Sequence, residues 1–196
     1  MLPADVIGVE CVVIGGWAVY LYTNAQKSED VDLAIGYESL NFFKPYGINE
    51  YEGLKIKYSV VNGTTVDLFI EEYSDKELPL PVRDIIKEHV LIGNKKVVNR
   101  ELLLLLKLWG YLRFDDVKLR KDIIDTVSLL FYSHIDLEKF RRYTVKYGIT
   151  KRRSSDVLLK YLDKAETLFE YICETKAEYL TLREKYKKEI KVVFKH

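Results

Sequence analysis

Gly15-Gly16-Trp17-Ala18, running on to Lys27-Ser28-Glu29-Asp30-Val31-Asp32-Leu33, is the stretch on which the fold turns. Upstream of it the β-branched run Val12-Val13-Ile14 reads as a short buried strand that stops at two adjacent glycines. Beyond them Trp17, Ala18, Tyr20 and Leu21 fall at helical spacing, which places the glycines at a strand-to-helix turn. Glycine lets a backbone come close to a ligand, and the amides that open a helix form a ready anion site. The chain returns as Val31-Asp32-Leu33-Ala34-Ile35, a strand by composition. Residues i and i+2 of a strand share a face, so Asp30 and Asp32 are expected to point the same way. Two carboxylates held together repel unless positive charge sits between them, and a divalent metal ion is the usual answer.

A third acid stands further on. Leu54–Val61 and Thr64–Ile70 read as strands joined at Asn62-Gly63, a strong hairpin signal because both turn residues need positive φ. The second strand carries Asp67 inside an otherwise apolar run. An unpaired aspartate buried there would cost several kcal/mol, roughly, so it calls for a cation or a solvent cleft; facing water on a half-exposed strand is the bland alternative. Around this hairpin, residues 37–45 read as a short helix with Leu40, Phe42 and Phe43 buried and Pro45 ending it. Val82 to Glu88 reads as another short helix, and Val90–Asn99 as a hairpin around Gly93-Asn94.

From Arg100 onward the pattern is helical. One segment holds Leu103, Leu106, Lys107, Trp109 and Gly110, and a second runs from Val117 to Phe131 around Arg120-Lys121-Asp122-Ile123-Ile124-Asp125. A lysine on a leucine-rich helix needs a partner or a path to solvent. Asp122 and Asp125, three apart, share a helix face and have Arg113, Lys118 and Arg120 as surface partners within reach. Residues 139–153 hold seven basic side chains and no acid, with Phe140, Tyr143 and Tyr147 interleaved. Basic charge and aromatic faces together make a candidate RNA surface, although the ring spacing also fits a core-facing stripe with the charges on its solvated back. Ser154 to about Lys191 is amphipathic and helical, with Ser154-Ser155-Asp156 as a cap and a break near Thr175.

Gly-Gly, a helix, then Ser-Glu-Asp-Val-Asp-Leu resembles the DNA polymerase β-like nucleotidyltransferase superfamily, and within it the AbiEii/AbiGii-type toxin branch. The leucine-rich helix with Lys107, followed by Arg-Lys-Asp-x-x-Asp, is similar to that branch as well. The resemblance covers about residues 9–131. It implies an α/β (α+β) fold: a nucleotidyltransferase-type mixed β-sheet lobe with flanking helices over residues 1–98, then an α-helical lobe over 99–196. It further implies that Asp30, Asp32 and Asp67 hold Mg²⁺ (or Mn²⁺) and are catalytic. Gly15, Gly16, Ser28, Lys107, Lys121 and Asp122 are then the nucleotide-binding residues. The implied reaction moves a nucleoside monophosphate from a nucleoside triphosphate, such as ATP or GTP, to a hydroxyl of RNA or protein. The implied partner of a toxin is a small antitoxin protein. Trp17 stands where the family carries a small polar residue, and Lys27 near its usual arginine. Those departures keep open a non-catalytic nucleotide- or partner-binding protein of the same fold; an antibiotic-modifying nucleotidyltransferase is a third reading.

Composition is consistent with such a two-part chain. Of 196 residues, 48% are hydrophobic and 31% charged, and the net charge of +1 conceals a division. Residues 1–98 carry 9 Lys/Arg against 15 Asp/Glu, whereas residues 99–196 carry 22 against 15. An acidic half suits metal ions and a basic half suits polyanions, while lysine as a good helix former explains part of the second excess. Cys11 and Cys173 read as separate reduced thiols. His89, His134 and His196 are scattered, and neither a P-loop nor a zinc-type cluster of ligands occurs in the sequence. The opening Met1-Leu2-Pro3-Ala4-Asp5 lacks a signal-peptide pattern, and the leucine run 102–106 is too short to span a bilayer. The expectation is a cytoplasmic protein with no membrane partner.

Overall fold

The computed structural model describes residues 10–109 and 116–195, with the backbone alone for 116–118 and 151–152. Its architecture is mixed α and β, and it divides into two compact units. One comprises the chain up to Leu21 together with Lys27–Asn99; the other comprises Tyr22–Gln26 and everything from Arg100.

The first unit is built on a seven-stranded mixed sheet. In chain order its elements are β1 (Cys11–Ile14), α1 (Gly15–Thr23, whose last two residues cluster with the other unit), β2 (Val31–Ile35), α2 (Leu40–Phe43), β3 (Asn49–Glu50), β4 (Lys57–Val61), β5 (Thr64–Ile70), α3 (Val82–Lys87), β6 (His89–Ile92) and β7 (Lys95–Val98). Across the sheet the order is β3-β4-β5-β2-β1-β7-β6. β2 runs parallel to β5 and antiparallel to β1, and β1 runs parallel to β7. The β4/β5 hairpin turns at Asn62 (φ 51°) and Gly63 (φ 79°), the positive-φ pair that a two-residue turn of matching twist needs. At the β6/β7 turn only Gly93 (φ 60°) is left-handed. Val31, Leu33 and Ile35 of β2 and Val66, Leu68 and Ile70 of β5 are fully buried, forming the core on one side of the central strands. α3 packs against β1 and β2.

Three sequence expectations need correction here. The strand expected from Leu54 begins at Lys57, because Tyr51–Ile56 closes on itself through Leu54 N–H to Tyr51 O and Tyr51 N–H to Ile56 O, around Gly53 at φ 75°. Residues 37–46 form a 3₁₀ turn, the short α2 and a second 3₁₀ turn. Pro45 sits inside that last turn rather than ending the helix, since a proline without N–H is tolerated in the first turn of a helical segment. Phe43 is buried there, while Leu40 and Phe42 are only half-buried.

The second unit is helical: α4 (Arg100–Trp109), α5 (Asp116–Tyr132), α6 (Leu137–Lys146), α7 (Lys151–Lys164), a 3₁₀ segment (Ala165–Tyr171) and α8 (Lys176–Val193). Leu102–Leu105, Val127, Leu130, Phe140, Tyr161 and Tyr179 fill its core. Phe131 stacks on Tyr186 at 5.5 Å between centroids. Phe140 and Tyr143 are buried, so those rings of the 139–153 segment face the core. The cap expected at Ser154-Ser155-Asp156 lies instead at Thr150, whose hydroxyl accepts from Arg153 N–H and starts the helix one turn earlier; Ser154 is already helical and donates back to Thr150 O. Thr175 caps α8 by accepting from Glu178 N–H. Gly110 and Arg113 lie outside the described residues. Cys11 and Cys173 are free thiols, and among the described residues no helix is long and apolar enough to cross a membrane.

Candidate active site

Register brings two of the three acids together. Asp32 of β2 stands directly opposite Asp67 of the parallel β5, so both carboxylates leave the same face of the sheet. The same row continues through Tyr58 and Asn49 on one side and Ile14 on the other. Neighbouring strands run about 4.8 Å apart, which sets the spacing of the two acids. The fold holds this pair on buried strands, since Val31, Leu33, Val66 and Leu68 on either side of the acids are fully buried.

Because Ile14 is opposite Asp32, the residue after it must clear the carboxylate. That residue is Gly15, with φ 62°. A Cβ there would fall 1.8 Å from Asp32 Oδ2 and 2.5 Å from its Cγ. Gly15 is therefore required twice, for its left-handed backbone and for the space Asp32 fills. α1 opens at this glycine, and Gly16 is buried in its first turn. The strand, the glycine turn and the acid thus form one unit of construction.

Asp30 lies in a bend immediately before β2 rather than within the strand. The hydroxyl of the buried Ser28 donates to Asp30 Oδ1 in a short hydrogen bond. Asp67 Oδ1 accepts from the Tyr51 hydroxyl at 2.8 Å, and the Tyr51 ring stacks on Tyr58 at 4.6 Å. Burial, then the hydrogen bond to Asp67 and the charges of Asp67 and Asp30, push the Tyr51 phenol far above its ordinary value. Tyr51 is therefore a hydrogen-bond donor at physiological pH, and Asp30 is close enough for its charge to be felt there. Among the described residues no group of three or more His, Cys, Asp or Glu is arranged so that it could hold a metal ion. Asp67 is turned to Tyr51 and Asp30 to Ser28.

Trp17, directly after the glycines, is buried with its ring edge-on to Tyr20 at 5.7 Å, and the Lys27 ammonium lies 5.0 Å from the Tyr20 ring.

The remaining candidates belong to the helical unit. Lys107 of α4 reaches Asp125 of α5 at 2.6 Å and Asp122 at 3.5 Å. The three side chains are 11%, 1% and 10% exposed, respectively for Lys107, Asp125 and Asp122. Both acids thus face a buried ammonium; of the surface partners expected for them, Arg113 and the Lys118 side chain lie outside the described residues. A lysine on a leucine-rich helix takes both acids of the next helix as its counter-charge, because a buried ammonium is tolerated only when paired. Lys121 is half-buried beside them in sequence.

The sequence pattern did not single out Tyr51 or Tyr58. Tyr58 was within reach, since counting back from the two-residue Asn62-Gly63 turn pairs Val61 with Thr64 and therefore Tyr58 with Asp67. Tyr51 carries no such signal, because it is brought to Asp67 by a loop. No protein-family model matches the chain, and no curated protein matches it either.

Proposed function

We propose that this chain is a nucleotidyltransferase of the DNA polymerase β-like kind, closest to the AbiEii/AbiGii-type branch. It would transfer a nucleoside monophosphate from a nucleoside triphosphate to a hydroxyl of RNA or protein. The observation that supports this best is the placement of Asp32 opposite Asp67 on neighbouring parallel strands, with Gly15 packed against the Asp32 carboxylate. A Mg²⁺ ion is commonly held by one or two carboxylates plus substrate phosphates, and this donor set of hard oxygens fits it. Asp30, Asp32 and Asp67 would hold it once Asp30 turns from Ser28 and Asp67 from Tyr51, since as they stand the three acids do not converge on one point. When bound, such an ion supplies charge for the phosphates and lowers the pKa of an attacking hydroxyl.

The chain's own groups supply the rest. The amides of Gly15 and Gly16, opening α1, bind the terminal phosphates of the triphosphate, with the Ser28 hydroxyl beside them. Asp67 accepts the proton of the acceptor hydroxyl, whose oxygen attacks the α-phosphorus while pyrophosphate leaves. The nucleotide contacts assigned to Lys107, Lys121 and Asp122 rest on the resemblance. For Lys107 to offset phosphate charge it must exchange Asp122 or Asp125 for the triphosphate. A small antitoxin protein belongs to this reading if the activity is toxic to its cell.

One observation favours a second reading, nucleotide binding without turnover: Tyr51 already occupies Asp67 and Ser28 already occupies Asp30. Calorimetric titration with Mg-ATP and Mg-GTP, followed by an assay for released pyrophosphate with RNA and protein acceptors, separates the two. Binding with pyrophosphate release supports transfer. Binding with no release across the acceptors supports the second reading, and no binding of any nucleotide removes both.

A further inference from the structure

The acceptor hydroxyl of the proposed reaction must sit on Asp67, and the structure already has a hydroxyl there. Tyr51 donates to Asp67 Oδ1 at 2.8 Å, from a half-buried position on the loop between β3 and β4. Its ring is braced by Tyr58, which occupies the sheet row next to Asp67 and stacks on Tyr51 at 4.6 Å. Ordinary packing does not require this arrangement. A phenol on a half-exposed loop can face water, whereas here it is directed at one of the two sheet acids. We infer that Tyr51 is a nucleotidylation site of the chain itself, taking a nucleoside monophosphate from a nucleoside triphosphate bound at the Gly15–Asp32–Asp67 site. The inference rests on the nucleotidyltransferase reading and names its first acceptor.

The step balances without further reactants. Tyr51 Oη forms a bond to the α-phosphorus, the bond from that phosphorus to the α,β-bridging oxygen breaks, and pyrophosphate leaves. The phenolic proton passes to Asp67. The product is a phosphodiester between the Tyr51 ring and the nucleoside. It stands in the place an external acceptor would need, so a modified chain would be closed to RNA or protein until the nucleotide is removed. The reaction is the reverse of pyrophosphorolysis, so excess pyrophosphate should regenerate the triphosphate and free the tyrosine.

The test uses the whole chain. It is incubated with Mg²⁺ or Mn²⁺ and each of the four α-labelled nucleoside triphosphates, and transfer of label to added RNA and protein, with release of pyrophosphate, is followed in parallel. Intact mass is also taken on the protein as purified, with no nucleotide added. The expected result is one nucleoside monophosphate per chain, mapped to the peptide holding Tyr51 and reversed by pyrophosphate. Label should fall to background in Tyr51→Phe, which keeps the stacking ring, and persist in Tyr37→Phe, an exposed control 71% accessible. Melting of Tyr51→Phe at the wild-type temperature shows that the loss is not unfolding. Label on another residue, or label retained by Tyr51→Phe, overturns the inference. So does transfer of label to added acceptors with an unlabelled chain, which leaves the nucleotidyltransferase reading standing. Absence of nucleotide binding and of pyrophosphate release overturns both.

Discussion

Substitution of Gly15 by alanine tests the construction of the site without any assumption about its chemistry. The backbone at Gly15 is left-handed, at φ 62°, which costs an L-residue on the order of 1–2 kcal/mol. The new Cβ also lands 1.8 Å from Asp32 Oδ2. Relief requires turning the carboxylate away from its preferred rotamer, about 0.5–1.5 kcal/mol more, so the sum is about 1.5–3.5 kcal/mol. Gly93→Ala isolates the first contribution: its φ is 60° and nothing lies within 4 Å of its added Cβ. Urea unfolding followed by Trp17 fluorescence in a Trp109→Phe background reports on the sheet unit, because Trp17 is buried there. Gly15→Ala should shift the midpoint further than Gly93→Ala with unchanged slope, a sign of altered stability rather than altered compactness. In an Asp32→Ala background the contacts at 1.8 and 2.5 Å disappear and only the Cβ contact at 2.9 Å remains, so the two substitutions should be non-additive by about 1 kcal/mol. Equal midpoints for the two glycine variants, or strict additivity with Asp32→Ala, would refute the packing of Asp32 on Gly15.

Three other predictions concern the rest of the chain. Lys107→Met leaves the almost fully buried Asp125 without its cation and should cost about 3–5 kcal/mol in the unfolding of the helical unit; Lys107→Met with Asp125→Leu should recover part of this, and a silent Lys107→Met would mean that the pair is not formed in solution. Thr150→Ala should lower stability by about 1 kcal/mol by removing the cap of α7, whereas Ser155→Ala, inside the helix, should change it by less in the same melting assay. Burial raises the Cys11 thiol to about 11 from 9.0, with Lys96 pulling the other way. Folding therefore favours the protonated thiol, a contribution fully present below about pH 9 and lost as pH rises toward 11. The pH profile of Cys11 alkylation in the folded protein should show the same raised midpoint, and a profile centred at an ordinary thiol value would contradict its burial.

Much of the sheet unit was legible because local chemistry decides it. Val12-Val13-Ile14 ahead of two glycines fixes β1 and the start of α1, and Asn62-Gly63 fixes the β4/β5 hairpin and its register. The acids stood out because they interrupt apolar strands. What sequence did not show is set by long-range pairing: that β2 and β5 run side by side and parallel, in the register that puts Asp32 opposite Asp67. Loop closure hid Tyr51, since residues 51–56 fold on themselves before β4 begins. The partner of Lys107 was hidden for a related reason. Asp122 and Asp125 look like surface acids one helix at a time, and only the packing of α5 on α4 buries them. The cap of α7, expected at Ser154, lies one turn earlier because the Thr150 hydroxyl accepts from Arg153 N–H.

The proposed transfer depends on Asp32 and Asp67 acting together on a nucleoside triphosphate. Its most direct test is transfer of α-labelled nucleotide, with Mg²⁺, by wild type and by Asp30→Ala, Asp32→Ala and Asp67→Ala, each checked for folding by circular dichroism. Transfer by wild type that falls at least a hundredfold, on the order expected for loss of a metal-holding or proton-accepting carboxylate, in every folded variant is the predicted result. Transfer at the wild-type rate by a folded Asp32→Ala or Asp67→Ala would contradict it.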